Sequence, residues 1–330
     1  AHSQTGNARM TTTDESLSPP DRRGRSTDTD PSVRRAALAP YLLIVGAVLV
    51  LLLGMGYPVV WQIVTSFQKY GALQQLGGKA PDFVGLDNYI AIAQDGTFWA
   101  VTFRSVLFCL VTAFVTIVVG VLLALLMTKV HAAARFALQI ALLLAWAMPV
   151  IAAMTVFIWL FNRQRGVVNY LLSMIPGVDM KGFNWIGTTP LLFFVVASII
   201  IIWMSVPFVA FSAYAGLTQV SGEVLEASQL DGASAVQRFR FIVFPVIKPV
   251  IAIVLLLNLI WDLRVFAQIT LLQDAGPKST DYDLLGTYIY KTGVAGLDFG
   301  AGAAMSIFVL ALTIALSWFY VRSLIKEERK

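Results

Sequence analysis

The sequence predicts an all-α membrane protein with six transmembrane helices. Of its 330 residues, 58% are hydrophobic and only 13% are charged, about half the charged share of an average soluble domain. The mean hydropathy of +0.75 indicates the same class. A helix needs about 20 apolar residues to cross a hydrocarbon layer of roughly 30 Å. Six runs meet that length, near residues 41–66, 103–128, 137–161, 189–215, 249–272 and 301–322.

The two ends of the chain lie outside these runs. Residues 1–36 are rich in Ser, Thr, Asp, Arg and Pro, and are predicted to form a disordered tail because they lack apolar periodicity. The nine residues before Met10 are consistent with an expression remnant, with Met10 as the natural start. The apolar run after the tail is too long for a cleavable signal peptide. The transmembrane domain is predicted to span residues 37–325, which leaves 326–330 as a C-terminal tail.

Glycine and proline interrupt three of the runs. Gly54, Gly56 and Pro58 fall in the first run, Pro149 in the third and Pro207 in the fourth. Membrane helices tolerate such breaks where neighbouring helices satisfy the freed backbone groups. Helix packing is therefore sufficient to explain each of them.

The distribution of Lys and Arg predicts the orientation of the chain. An even number of spans places both termini on one side, whose tails and loops hold fifteen Lys and Arg residues. The loops of the opposite side hold eight: Lys69, Lys79, Arg104, Arg163, Arg165, Lys181, Lys278 and Lys291. Because positive residues accumulate on the cytoplasmic side, we expect cytoplasmic termini. The basic residues are dispersed beside span ends, so orientation explains the net charge of +5 better than nucleic-acid binding does.

Residues 223–249 form a polar island between the fourth and fifth runs. Their pattern predicts a helix, a bend that Gly232 permits, and a second helix, all at the membrane surface. Apolar residues recur at helical spacing in the second helix: Val236, Phe239 and Val243. Pro245 and Pro249 are then expected to stop that helix before the membrane run resumes. On this pattern alone, an ordinary cytoplasmic loop is the better explanation of the island.

The residue order within the island is specific: Glu226, Ala227 and Ser228 are followed by Asp231, Gly232 and Ala233, and then by Ile242 and Pro245. This order resembles the EAA signature of permease subunits in binding-protein-dependent ABC importers. Ser228 stands where a second alanine is usual, and Phe244 stands where leucine is usual. The resemblance implies a cytoplasmic coupling-helix loop, at about residues 220–248, that docks in a cleft of an ATPase subunit. Glu226 would contact the ATPase, and Gly232 would form the turn.

Two other segments extend this resemblance to sugar permeases of the maltose type. Asn88, Tyr89 and Phe98 resemble the segment after the first core helix. A second run resembles the segment before the last helix, with Ala275 in place of one glycine; its matching residues are Gly276, Pro277, Thr280, Tyr288, Tyr290, Asp298, Phe299 and Gly300. The resemblance covers about residues 40–325 and implies the type I ABC importer permease fold.

Two charged residues, Asp262 and Arg264, lie near the middle of the fifth run. A charge at such a position costs about 2.5–3.5 kcal/mol on insertion scales, so neither side chain is expected to face lipid. At i and i+2 they point about 200° apart on a helix, which predicts that they do not pair with each other. At least one should face a polar cavity. A structural ion pair with another helix or subunit is an equally good explanation for each.

The resemblance to maltose-type permeases also implies a substrate pathway. In those permeases the sugar contacts the helices on either side of the EAA loop, at positions that correspond here to Met204, Ser205, Phe208, Trp261 and Arg264. Trp261 has an aromatic face for a pyranose ring, and Arg264 has several hydrogen-bond donors for hydroxyl groups. The family usually has asparagine at these last two positions. Arg264 therefore leaves room for a substrate with a carboxylate or phosphate.

The resemblance implies a permease subunit that moves a sugar or small oligosaccharide into a prokaryotic cell by alternating access. The sequence has no GxxxxGK[ST] loop, so we expect ATP and Mg to bind in two separate ATPase subunits, and no cofactor, metal or enzymatic activity in this chain. The other expected partners are a second homologous permease, an extracytoplasmic solute-binding protein and the lipid bilayer of the plasma membrane.

Two alternatives remain from the residues themselves. An ion-coupled secondary transporter would use Asp262 as its proton or sodium site, but it leaves the EAA-like stretch unexplained. A membrane-embedded enzyme would need clustered His, Cys or paired carboxylates at membrane depth, which this sequence lacks.

Overall fold

The computed structural model describes residues 44–328, most of them in helices. The predicted tail at residues 1–36, Met10, the start of the first run and the last two residues lie outside this range. The helices are α1 (Ile44–Ser66), α2 (Ala72–Gly77), α3 (Asp87–Gln94), α4 (Gly96–Lys129), α5 (Ala132–Ala147), α6 (Val150–Leu160), α7 (Val167–Leu172), α8 (Pro190–Leu217), α9 (Gly222–Leu230), α10 (Ala235–Leu263), α11 (Ala267–Asp274), α12 (Leu285–Tyr290) and α13 (Phe299–Glu328). Two short strands, β1 (Gln68–Lys69) and β2 (Asp82–Phe83), pair antiparallel, with Gln68 opposite Phe83.

Five of the described helices are long and apolar enough to cross a membrane. They are α1, α4, α8, α10 and the part of α13 up to Trp318. The third predicted run, 137–161, is not one helix: α5 and α6 meet at an angle of 103° across Met148 and Pro149. Proline cannot donate the backbone hydrogen bond that would continue α5, so the chain turns here. The number of spans is six, as predicted, when this bent pair counts as one.

The described chain divides into two units at the Tyr57–Pro58 bond, within α1. In the first unit, residues 52–56 form a π-helical turn, which contains Gly54 and Gly56. The predicted interruption of the first run is therefore a local widening of the helix. The second unit, from Pro58 onward, contains all the sites considered below.

The centre of the second unit is the crossing of α4 and α8, and α10 packs against both. Gly120 of α4 lies at this crossing, against Val209 and Ala210 of α8. A Cβ atom on Gly120 would lie 2.5 Å from Val209 Cγ1 and 3.2 Å from the backbone nitrogen of Ala210. Small residues let membrane helices approach this closely. The two helices therefore depend on a glycine at position 120.

Replacing Gly120 by alanine is expected to destabilise the protein by about 1–3 kcal/mol, because the methyl group overpacks the α4–α8 contact. Gly96 begins the same helix and has no atom within 4 Å of its ideal Cβ position, so Gly96→Ala is the matched control. Thermal unfolding of the purified chains in detergent measures the difference. Equal unfolding temperatures for the two variants would contradict the close contact.

The helix after the polar island does not stop at its prolines, contrary to the sequence prediction. Helix α10 runs without interruption from Ala235 to Leu263, with Pro249 inside it. A π-helical turn at Phe239–Val243 immediately precedes Pro245, and the amide of Phe244 bonds to the carbonyl of Phe239. This wider turn gives room for the ring of Pro245, which would otherwise clash with the preceding turn. The surface helix and the membrane helix are therefore one element.

The segments around α3 and α12 are held together by polar side chains. The hydroxyl of Tyr288 donates to Asp95 Oδ2 over 2.8 Å, and burial together with this bond raises the pKa of Tyr288 to about 12. Arg104 Nη1 donates to the carbonyls of Thr280 and Asp283, over 2.9 and 3.0 Å. Lys291 Nζ lies 2.7 Å from Asp283 Oδ1. The bonds of Tyr288 and Arg104 tie the segment after α11 to the beginning of α4, and the ion pair of Lys291 lies within that segment.

Candidate functional site

A cavity of about 640 Å³ opens between α8, the bend of α5 and α6, and the C-terminal end of α10. All six residues predicted for the substrate pathway line it: Met204, Ser205, Phe208, Trp261, Asp262 and Arg264. The other lining residues are Trp146, Met148, Val150, Ile201, Val265, Phe266, Ala267 and Gln268. This volume falls within the range of about 300–1,000 Å³ typical of small-molecule sites.

Two breaks in the helices form the walls of this cavity. One is the bend at Met148 and Pro149. The other lies in the fifth predicted run, 249–272, which is two helices and not one: α10 ends at Leu263, and α11 begins at Ala267. Arg264 has φ −103° and ψ 13°, so it already lies outside the helix. The predicted angle of about 200° between Asp262 and Arg264 therefore does not apply, because it assumed one continuous helix.

Asp262 lies at the inner wall of the cavity and is 3% exposed. Its Oδ2 atom has no hydrogen-bond partner among the described residues. One turn earlier on α10, the fully buried Asn258 donates from Nδ2 to the carbonyl of Val254 over 2.9 Å. The Oδ1 atom of Asn258 also lacks a partner within the described part of the chain. Buried polar atoms normally have partners, so these two residues of α10 retain hydrogen-bonding capacity that the described chain does not use.

Arg264 and Trp261 project from the same end of α10 and are both exposed. Among residues 44–328 the guanidinium of Arg264 has no hydrogen bond or ion pair, so it does not pair with Asp262. The ring of Trp261 lies 5.4 Å from that of Phe208, at an interplanar angle of 59°. With 48% of Trp261 exposed, an aromatic surface and five free N–H donors face the same space.

Eight residues of the cavity were not singled out from the sequence, and three of them add a large or polar side chain: Trp146, Met148 and Gln268. Trp146 and Met148 reach it because α5 ends immediately before Pro149, and Gln268 reaches it because α11 begins at Ala267. For Trp146 and Met148, Pro149 was the only feature of the sequence that indicated a bend nearby, and it did not indicate the direction of that bend. Nothing in the local pattern distinguished Gln268 from other polar residues. The cavity therefore contains an amide and a second tryptophan beyond the predicted set.

Six of the eight EAA-like residues lie in a helical hairpin, residues 222–238, that has no overlap with the cavity, and Ile242 and Pro245 follow it. Gly232 lies at its turn with φ +79°, a left-handed conformation that favours glycine. The second helix begins with a capping box, in which Ser234 Oγ accepts from the amide of Gln237 and the side chain of Gln237 accepts from the amide of Ser234. Arg238 Nη1 donates to the carbonyl of Ala233 over 2.7 Å. These bonds fix the turn to the beginning of α10.

Most of the predicted coupling residues are accessible on this hairpin or just after it. Glu226, Ala227, Asp231, Gly232 and Pro245 are exposed, whereas Ser228, Ala233 and Ile242 are half-buried. The hydroxyl of Ser228 donates to the carbonyl of Leu225 over 2.7 Å, so it faces its own helix. The sequence reasoning missed Leu230, which is 90% exposed at the end of α9. Val224 and Val236 of the same hairpin are exposed as well.

Comparisons with known proteins agree with this architecture. The family model described as "binding-protein-dependent transport system inner membrane component" matches residues 116–323. The diacetylchitobiose uptake system permease protein DasB of Streptomyces coelicolor is 38% identical over 295 residues, which cover 89% of each chain. The trehalose/maltose transport system permease protein MalF of Thermococcus litoralis is 32% identical and covers 73% of this chain and 79% of its own.

A solved structure has the same fold. It is the crystal structure of a bacterial alginate ABC transporter in complex with an alginate pentasaccharide-bound periplasmic protein. One chain matches with a TM-score of 0.73 and 23% identity, over 88% of this chain and 94% of its own. The family match includes α8, the hairpin, α10 and the cavity residues of both helices. The chain therefore belongs to the family of inner membrane components of binding-protein-dependent transport systems.

Proposed function

We propose that this chain is the permease subunit of an ATP-driven importer that moves a sugar or small oligosaccharide through the cavity between α8 and α10. The observation that carries the proposal is the convergence in one cavity of the five residues that the resemblance to sugar permeases implies and of Asp262, which was predicted from its charge within an apolar run. The residues before the hairpin and those after it are separated by more than fifty positions in the chain. The cavity that they line also contains the aromatic and hydrogen-bonding side chains that a sugar site requires.

The chemistry of the cavity suits a neutral sugar. Trp261 and Phe208 present aromatic surface to the apolar face of a pyranose ring, and Ser205, Gln268 and Arg264 supply hydrogen bonds to its hydroxyl groups. Asp262 adds a carboxylate to the lining of the cavity. The names of two relatives refer to diacetylchitobiose and to trehalose or maltose, which supports a substrate of about two sugar units.

The hairpin at residues 222–238 is proposed to couple this cavity to ATP hydrolysis in two partner subunits. Since α10 is one helix from Ala235 to Leu263, a displacement of the hairpin is transmitted to the cavity without an intervening joint. The exposed Glu226 and Leu230 are the proposed contacts with the ATPase. The excess of Lys and Arg supports placing the hairpin and both termini in the cytoplasm. A second permease and a solute-binding protein outside the membrane complete the proposed complex.

The test is co-purification of the chain from its native membranes, followed by reconstitution into proteoliposomes with ATP inside. We expect a second permease and an ATPase pair to co-purify, and uptake of a disaccharide only with both ATP and the binding protein present. Uptake by the lone chain without ATP, abolished by an uncoupler, would overturn the importer in favour of an ion-coupled transporter that uses Asp262.

One observation favours a second candidate substrate class. The unpaired guanidinium of Arg264 at the cavity can bind a carboxylate or phosphate through two parallel hydrogen bonds. The importer would then carry an acidic or phosphorylated sugar. The same proteoliposomes distinguish the two substrate classes. An acidic sugar, added at the same concentration as a neutral disaccharide, should inhibit uptake of the disaccharide only if Arg264 selects for the anion.

A further inference from the structure

A second polar pocket, of about 320 Å³, lies in the segment between α6 and α8. Three cationic side chains line it: Arg163, Arg165 and Lys181. The other lining residues are Gln164, Gly166, Val167, Asn169, Tyr170, Ser173 and Gly182. None of these residues belongs to the transport cavity or to the hairpin. The pocket therefore needs an explanation of its own.

Two cations of this pocket differ from most of the other basic residues predicted on the same side of the membrane. Of the five others, Lys69 alone has no bonded partner among residues 44–328; the remaining four are bonded, Lys79 to Asp82, Lys278 to Asp274, Lys291 to Asp283, and Arg104 to the backbone carbonyls of Thr280 and Asp283. In contrast, the side chains of Arg165 and Lys181 have no bonded partner among residues 44–328. Two unneutralised cations in one concave site favour an anionic ligand.

A buried asparagine holds the pocket in shape. Asn169, which is 6% exposed, donates from Nδ2 to the carbonyls of Arg163 and Phe183, over 3.2 and 2.9 Å. Its Oδ1 atom accepts from Trp185 Nε1 over 2.6 Å. Arg163 Nε in turn donates to the carbonyl of Gly182 over 2.8 Å. The two chain segments that supply the cations are therefore fixed to each other before any ligand binds.

The only carboxylate in this segment does not neutralise the pocket. Asp179 Oδ1 accepts from the backbone amide of Lys181 over 3.1 Å, and no ion pair joins Asp179 to a cation of the pocket in the described chain. The positive charge of Arg165 and Lys181 is therefore available to a ligand from outside the chain.

Apolar side chains stand beside the pocket, on and just after α7. Tyr170, Leu171, Met174 and Ile175 are 50–66% exposed. The opposite side of α7 is anchored, since Val168 packs against the buried cluster that includes Phe161 and Ile186. The segment joins the ends of two membrane-spanning elements, α6 and α8, so it lies at the surface of the bilayer. Exposed apolar residues beside cations at this depth are typical of contact with lipid.

We propose that this pocket binds the phosphate of an anionic phospholipid, with the exposed side chains at residues 170–175 inserted among the acyl chains. Arginine and lysine at the level of the headgroups attract anionic lipid, and arginine binds phosphate oxygens through its planar fork. An acidic protein partner would bind the same cations, but it leaves the apolar side chains beside them unexplained. The inference concerns a lipid site and is independent of the transported sugar.

The test measures lipid retention by the full-length chain, purified in detergent, by native mass spectrometry during titration with phosphatidylglycerol or phosphatidylcholine. We expect preferential retention of phosphatidylglycerol by the wild-type chain. The double variant Arg165→Gln/Lys181→Gln should bind phosphatidylglycerol about tenfold more weakly, because it loses two headgroup-level cations. The matched control is Lys79→Gln/Lys278→Gln, which removes the same charge from the same side outside the pocket and should bind like the wild type.

A second variant tests the apolar part of the site without touching the cations. Met174→Asp places a carboxylate where the proposal places acyl chains, and we expect it to weaken phosphatidylglycerol retention as well. Unfolding temperatures should stay unchanged in all variants, because the replaced side chains are exposed.

Three results would overturn the lipid site. The first is retention of phosphatidylglycerol by Arg165→Gln/Lys181→Gln at the wild-type level. The second is equal competition by inorganic phosphate at equal concentration, which would identify a free anion as the ligand. The third is a loss of solute-binding-protein affinity in the double variant with unchanged lipid retention, which would identify an acidic protein surface.

Discussion

Replacing Gly232 by valine is expected to uncouple ATP hydrolysis from uptake while the chain stays folded in the membrane. Gly232 has φ +79°, where an L-residue with a branched Cβ is strained by about 1–2 kcal/mol. No atom lies within 4 Å of its ideal Cβ position, so the strain comes from the backbone alone. The hairpin relieves it by changing the angle between α9 and α10. This energy shifts the population of the native hairpin by a factor of about 5–30.

The measurement is sugar uptake per ATP hydrolysed, in proteoliposomes that contain the complete transporter. We expect this ratio to fall by about fivefold or more in Gly232→Val, in line with the loss of native hairpin geometry. Gly222→Val is the matched control, because Gly222 also has open space at its Cβ position but no left-handed φ. Wild-type coupling in Gly232→Val would show that the hairpin angle does not transmit the nucleotide cycle.

The existence and approximate position of the membrane helices could be predicted from the sequence. Hydrocarbon thickness imposes a minimum length on every span, so composition alone locates the apolar runs. The paths of the helices at their prolines could not be predicted. Pro149 marks a bend of 103°, whereas Pro245 and Pro249 lie within a continuous helix. The difference depends on the π-helical turn before Pro245, for which local sequence carries no signal.

The candidate site could also be predicted only in part: its residues could be named from the sequence, but their arrangement could not. Asp262 and Arg264 were predicted from their charge within an apolar run. Met204, Ser205, Phe208 and Trp261, and again Arg264, were predicted from their positions in the family that the sequence resembles. Which of them face one space depends on where α10 ends. A continuous helix would have turned Asp262 and Arg264 to opposite sides, whereas the end of α10 at Leu263 lets both line one cavity. Gln268 becomes part of the cavity for the same reason.

Arg264→Ala is expected to reduce substrate uptake by about tenfold or more while leaving the complex assembled. A hydrogen bond to a charged group contributes about 1.5–3 kcal/mol, which corresponds to roughly ten- to hundredfold in affinity. The variant should unfold at the wild-type temperature, because Arg264 is exposed and has no bonded partner among residues 44–328. Uptake at saturating and limiting substrate separates a loss of affinity from a loss of turnover.

Two further variants define what Arg264 does. Lys278→Ala removes an exposed cation outside the cavity and should transport normally, since its only ion pair is the exposed one with Asp274. Arg264→Lys keeps the charge but loses the planar guanidinium that can bind a carboxylate through two hydrogen bonds. This variant should therefore retain partial uptake of a neutral sugar and lose most of its discrimination in favour of an acidic sugar. If Arg264→Ala prevents co-purification of the second permease, the guanidinium is instead an interfacial ion-pair partner. The role of Arg264 in substrate binding would then be wrong.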